Sequence, residues 1–303
     1  MPSPEMQDNI ASLFAMREAA AAQPAPTIEQ LRADFDSRGI RYPLPGDVLV
    51  SEIDAGGVPA HWLTAPGVAG NRTLLYLHGG GYWIGSIRSH GELAARLGRA
   101  IGTRVLFPEY RLAPEHPFPA AIDDALTVWR WLRDTHQVTG TEVAIAGDSA
   151  GGGLALALLT TLRDNGEDLA AAVVLMSPWT DLTGTGASMT ERVAEDPIFT
   201  PEAVRQAADA YLARTDTDPH NPLASPLFAR LDGLPPLLIQ AGTAELLLSD
   251  SEGLAKAAAE AGMDVTLRVG DGLPHVYPAM DGTPEAAEAT EQSAAFLRKH
   301  LAL

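Results

Sequence analysis

The chain predicts an α/β fold in which a mostly parallel sheet is covered by helices on both faces. After Leu77, short apolar or β-branched runs alternate with longer stretches of helical spacing, the pattern of parallel strands joined by helical crossovers. Within that alternation, Gly147-Asp148-Ser149-Ala150-Gly151 stands between an apolar run and a helix rich in Ala and Leu. A G-x-S-x-G sequence in a strand-turn-helix setting exposes its serine on a sharp turn. At 303 residues the chain fits one α/β unit with some decoration.

The elements follow in order. Asp8 to Arg38 has helical spacing interrupted by Pro24 and Pro26, which predicts two helices forming either a surface extension or a cap over a pocket. Strands come next, at Val48–Ile53, His61–Thr64 and Thr73–Leu77. The alternating part then reads strand Arg104–Phe107, helix Ala120–Thr135, strand Glu142–Ala146, helix Gly151–Asn165 and strand Ala171–Met176. A polar interval, Thr183 to Thr200, reads as an insertion and leads into a helix over Pro201–Ala213 with proline in its first turn. Strand Pro236–Ala241, helix Ser249–Ala261, strand Val265–Val269 and helix Pro284–His300 complete the pattern.

Composition narrows the chemistry. A formal charge of -18 disfavours nucleic acid and anionic membrane surfaces as partners. The absence of cysteine removes disulfides, thiolate metal sites and a cysteine nucleophile. No signal-peptide pattern or membrane-length apolar run is read, so a cytoplasmic location is the default expectation.

Three further segments complete a nucleophilic site around Ser149. His78-Gly79-Gly80-Gly81 follows a strand and brings bare backbone close to a ligand. Gly79 and Gly80, with Ala150 immediately after the serine, are the expected donors of an oxyanion hole. A phosphate loop is the competing reading, but it would want a nearby Lys or Arg, and none follows the glycines until Arg88. A serine hydroxyl needs a base, and His275 lies in the loop-like Gly270–His275 segment after the last strand. The base in turn needs a carboxylate. Glu245 directly follows a late strand and is preferred to Asp250, for which a helix-start role suffices. Tyr82 and Trp83 stand beside the glycine loop as pocket candidates, with core packing as the alternative. Asp148 is expected to anchor the loops around the elbow.

His78–Gly81, Gly147–Gly152 and Glu109-Tyr110-Arg111-Leu112-Ala113-Pro114-Glu115-His116-Pro117-Phe118-Pro119-Ala120 together resemble the hormone-sensitive-lipase family of esterases, bacterial family IV. Ser177-Pro178-Trp179 and Asn221-Pro222-Leu223-Ala224-Ser225-Pro226 add to the likeness, which spans about Leu74 to His300. The resemblance implies an α/β-hydrolase fold with an eight-stranded, mostly parallel sheet and no cofactor or metal. It also implies a cap made of N-terminal residues 1–45 and an insertion at about 187–215, on a catalytic domain of residues 46–303. Asp148 places the chain with the GDSAG subgroup, whose acid is usually Asp followed by Pro-Leu. Here Glu245-Leu246-Leu247-Leu248 stands instead.

The expected activity is hydrolysis of short-chain acyl esters or small lactones through an acyl-enzyme, with the ester as a small-molecule partner. An amidase using the same groups, or a non-catalytic small-ligand receptor of this fold, are the alternatives. The resemblance also admits a homodimer formed through a sheet edge.

Overall fold

Proline and short polar caps set the limits of the first helices in the computed structural model, which describes residues 1–68 and 70–303. Helix α1 (Pro4–Ala21) starts at Ser3, whose side chain accepts from the Met6 N–H, and ends before Pro24. Helix α2 (Ile28–Asp36) opens on a reciprocal Thr27–Gln30 cap, and the short α3 (Arg38–Arg41) follows.

Strands β1 (Leu49–Asp54) and β2 (Pro59–Thr64) form an antiparallel hairpin. The parallel part then runs β3 (Thr73–Leu77), α4 (Ile87–Ile101), β4 (Arg104–Pro108), α5 (Ala120–His136), β5 (Val143–Asp148), α6 (Ala150–Asp164) and β6 (Val173–Met176). After it come α7 (Ser188–Glu191), α8 (Pro201–Leu212), β7 (Leu237–Ala244), α9 (Leu248–Glu260), β8 (Val265–Pro274) and α10 (Pro284–Leu301). The eight strands lie in the order β1-β2-β4-β3-β5-β6-β7-β8. β2 is antiparallel to β4, and every pairing from β4 across to β8 is parallel.

Strand alternation divides the core into two layers. Leu75, Leu77, Ile145, Val173, Leu175 and Ile239 face α5, α6 and α9, against Trp129, Leu158 and Leu254. Leu74, Tyr76, Ala144, Val174 and Met176 point to the other side, against Leu93 and Leu97 of α4 and Leu297 of α10. Both faces are buried, so the parallel strands read as continuous apolar runs.

Two features differ from the sequence reading. Helix α4 is absent from the sequence reading although its apolar face is well marked, with Leu93, Leu97 and Ile101 recurring four residues apart. Gly98 is needed there, since a β-carbon would collide with Val105 of β4. The segment Gly270–Pro274, read as loop, continues β8 instead, pairing Gly270 with Gly242 and Pro274 with Ala244 across an irregularity. Among the described residues no helix is long and apolar enough to cross a membrane.

The N-terminal helices lie over the ends of the strands. Met6, Ile10 and Leu13 of α1 pack with Leu273 near the end of β8, with Tyr277 and Met280 after it and with Ile198 of the inserted segment. The Ser3 N–H and hydroxyl both donate to Glu285 of α10, at 2.6 and 2.8 Å. Arg32 of α2 donates to the Trp83 and Ala113 carbonyls and pairs with Glu115 at 2.7 Å.

Candidate active site

The turn from β5 into α6 has room for almost no side chains. A β-carbon on Gly151 would collide with the Leu77 carbonyl, and one on Gly147 with the Gly151 carbonyl. Between them Ser149 adopts φ 51° and ψ -123°, a strained backbone for a residue other than glycine. Its N–H donates to the Met176 carbonyl at 2.9 Å, and its own carbonyl accepts from the Gly152 and Trp179 N–H groups. The side chain does not cap α6, so the hydroxyl stays available at the helix N-terminus.

Asp148 binds this turn to the glycine loop after β3. Its Oδ1 accepts from the Tyr76 hydroxyl at 2.7 Å and the Gly79 N–H at 3.1 Å, and its Oδ2 lies 3.3 Å from His90 Nε2. Burial alone would raise this carboxyl; His90, the Tyr76 hydroxyl and His78 outweigh burial and hold it below the usual aspartate range. Gly79 differs from its expected role, because its N–H is committed to Asp148. Among the described residues the N–H groups of Gly80, Gly81 and Ala150 donate to no protein acceptor.

His78 is fully buried, stacks on Tyr110 at 4.2 Å and contacts the Gly79 carbonyl through Nδ1 at 2.7 Å. Burial, reinforced by nearby His90, lowers its pKa to about 4 and keeps the ring neutral.

On the other side of Ser149, Glu245 and His275 come together although 30 positions separate them. Glu245 Oε2 lies 2.5 Å from His275 Nδ1, with both side chains buried. Its Oε1 accepts from the Gly242 N–H at 2.8 Å and the Ser177 hydroxyl at 3.0 Å. With Nδ1 donating to the carboxylate, Nε2 carries the lone pair. That nitrogen has no hydrogen-bond partner among the described residues, so it is not bonded to Ser149 in this state.

Asp250 faces elsewhere. Its Oδ2 accepts from the Thr180 and Asp181 N–H groups at 2.7 and 2.8 Å, holding the loop after β6. Burial, only partly opposed by these bonds, raises its pKa to about 7.

Of the pocket candidates, Trp83 lines a cavity of about 330 Å³ together with Pro26 and Leu31, Pro114, and Ala203 and Ala210 of α8. Tyr82 does not: it is 1% exposed and stacks on Tyr211 of α8 at 3.8 Å, so it packs as core. Three contributors escaped the sequence reading. Ser177 bonds to Glu245; Phe199 sets its ring against the His275 imidazole, 4.9 Å between centroids; and buried Asp196 accepts from the Ile198, Phe199 and Leu246 N–H groups. The Ser177-Pro178-Trp179 motif was the only advance signal, and it gave Ser177 no role. Among the described residues no cluster of three or more His, Asp or Glu side chains is arranged to hold a metal ion.

Gly79, Ser149, Glu245 and His275 each follow the C-terminal end of a parallel strand, at β3, β5, β7 and β8 respectively. A serine at a strained strand-to-helix turn in that setting defines the α/β-hydrolase class. Residues 74–279 match the family described as alpha/beta hydrolase fold, and the chain belongs to that family. It lies in the bacterial hormone-sensitive-lipase branch, where the sequence resemblance placed it. It is similar to the crystal structure of an esterase from the bacterial hormone-sensitive lipase family, with a TM-score of 0.93, 42% identity and 99% of each chain covered. By sequence it is 46% identical to an acetyl-hydrolase of Streptomyces hygroscopicus over 84% of this chain and 83% of that protein. An esterase of Acinetobacter venetianus is 33% identical over 88% and 87% of the two chains.

Proposed function

We propose that the protein cleaves small carboxylic esters through an acyl-enzyme formed on Ser149. The chain is a serine carboxylester hydrolase, as its family and its esterase relatives establish. The observation that carries the residue assignment is the Glu245–His275 pair beside a serine held at φ 51°. A buried carboxylate on Nδ1 fixes the tautomer whose Nε2 accepts a proton.

In this reading Ser149 Oγ attacks the ester carbonyl carbon while its proton passes to His275 Nε2. The bond forms from an open arrangement that tightens when substrate enters. The carbonyl oxygen, now negative, is met by the N–H groups of Gly80, Gly81 and Ala150, with Gly79 left to anchor the loop through Asp148. Collapse breaks the ester C–O bond, His275 protonates the leaving alcohol, and water activated by the same imidazole hydrolyses the acyl-serine. Glu245 stabilises the imidazolium formed in both halves.

The cap is assigned to α1–α3 together with α7 and α8. The acetyl-hydrolase relative supports a short acyl group over a long chain. Hydrolysis of p-nitrophenyl esters from acetate to palmitate, run beside Ser149→Ala, tests this. Turnover peaking at short chains and lost in the variant is the expected result. Turnover that survives in Ser149→Ala would remove Ser149 as nucleophile, and a folded wild type that binds esters without turnover would leave a receptor.

A further inference from the structure

Ser177 follows β6 directly, is fully buried, and adopts φ 45°, in the left-handed region that disfavours residues with a β-carbon. Its N–H is fixed on the Gln240 carbonyl of β7 at 2.7 Å. The hydroxyl has one proton to give and lone pairs to accept with. The proton goes to Glu245 Oε1 at 3.0 Å, because a carboxylate only accepts, while the Val276 N–H donates back to Oγ at 2.9 Å. Val276 is the residue after His275 and is itself held at φ 49°. One hydroxyl therefore touches the acid and the peptide next to the base, from a third strand.

A glutamate at this position gives the carboxylate a reason to need such a contact. It has one more rotatable bond than the aspartate usual in this subgroup, so its carboxylate plane has an additional freedom to lose. The Gly242 N–H alone restrains Oε1 if the serine hydroxyl is removed. The residue before Ser177 touches the nucleophile's turn, where the Ser149 N–H rests on the carbonyl of Met176.

We propose that Ser177 is a positioning residue for ester hydrolysis: by joining the Glu245 carboxylate to the Val276 peptide, its hydroxyl holds acid and base in one fixed geometry. The proposal rests on the assignment of Glu245 and His275 given above. It differs from a packing role in requiring the hydroxyl itself.

Ser177→Ala, Ser177→Gly and Glu245→Gln, singly and as serine–glutamate double variants, separate the two. Each is assayed for kcat and KM on p-nitrophenyl acetate and for thermal midpoint. Both serine variants should lose kcat by about ten- to a hundredfold, the range for a hydrogen bond to a charged group, with KM changed less than about twofold. Glycine relieves the backbone strain, so Ser177→Gly should be at least as stable as Ser177→Ala and still inactive to the same degree. In the Glu245→Gln background the serine substitution should cost less than about twofold more. A Ser177→Gly enzyme with wild-type kcat overturns the proposal, as does a serine effect equally large in both backgrounds. Wild-type kcat in Glu245→Gln alone overturns the acid assignment, and the proposal with it.

Discussion

The two flanks of Ser149 are built from different materials. On the glycine-loop flank the carboxylate of Asp148 is surrounded by His78, His90, Tyr76 and Tyr110, with His78 stacked on an aromatic ring. On the flank formed by β6, β7 and β8, three buried carboxylates, Glu245, Asp250 and Asp196, are held by backbone N–H groups at turns. The first flank offers donors to an oxyanion and keeps the His78 imidazole uncharged. The second sets one carboxylate, Glu245, on the imidazole where positive charge must form and commits Asp250 and Asp196 to holding the turns around it. The division suits the reaction, in which negative charge develops on one side of the serine and positive charge on the other.

The largest effects belong to the second flank. His275→Ala should lower kcat/KM by about 10⁴-fold or more, and Glu245→Gln by about 10³–10⁴-fold, with the folded state retained; steady-state kinetics and circular dichroism check this. An Asp250→Asn enzyme that lost as much activity would return the acid role to Asp250.

On the first flank, Asp148→Asn should weaken both function and fold. It removes the charge facing His90 and places an amide where two donors already point. The expected stability loss is about 2 kcal/mol by urea unfolding, with kcat reduced about tenfold as the glycine loop loosens. A variant of native stability and activity would mean that the elbow and the loop are held by packing alone.

The pH dependence of stability sharpens the comparison, since the flanks carry buried groups of opposite sign. Asp250, raised from 3.8 to about 7, binds more protons folded than unfolded, so its contribution falls as pH rises from about 4 to about 7. His78, lowered from 6.5 to about 4, binds fewer protons when folded, so its contribution falls as pH drops from 6.5 towards 4. The two oppose each other in the wild type. Asp250→Asn should therefore make stability climb more steeply with pH between about 4 and 6.5, measured as unfolding free energy across that range. An unchanged or shallower slope would contradict the raised pKa of Asp250.

The glycine loop and the serine turn were legible as motifs, and Glu245 and His275 by their places after late strands, but the groups that support Glu245 and His275 were not, for a physical reason. The glycine loop and the serine turn need small residues at adjacent positions, because neighbouring backbone fills the space a β-carbon would take. Such demands leave contiguous motifs. Ser177, Asp196 and Phe199 act only through contacts made after β6, β7 and β8 have come together, and no local pattern marks them. Gly79 was read one position out of place because three successive glycines look alike until Asp148 selects one of their N–H groups. The parallel strands declared themselves as apolar runs; α4, whose Leu93, Leu97 and Ile101 carry a plain helical period, was legible too and went unassigned.

The smallest effect lies in the segment that covers both flanks. Arg17 of α1 donates to the carbonyls of Val193, Asp196 and Phe199, the turn that presents Phe199 to His275. These bonds are exposed or half-buried, so Arg17→Ala should cost no more than about 1 kcal/mol of stability. It should raise KM a few-fold and leave kcat nearly intact, since the turn stays anchored by Asp196.

Covalent labelling gives the most direct test of Ser149 as nucleophile. A fluorophosphonate added in small excess should inactivate the enzyme in proportion to one label per chain, and peptide mapping should find the adduct on Ser149. Labelling at any other residue, or inactivation without covalent attachment, would contradict the acyl-enzyme.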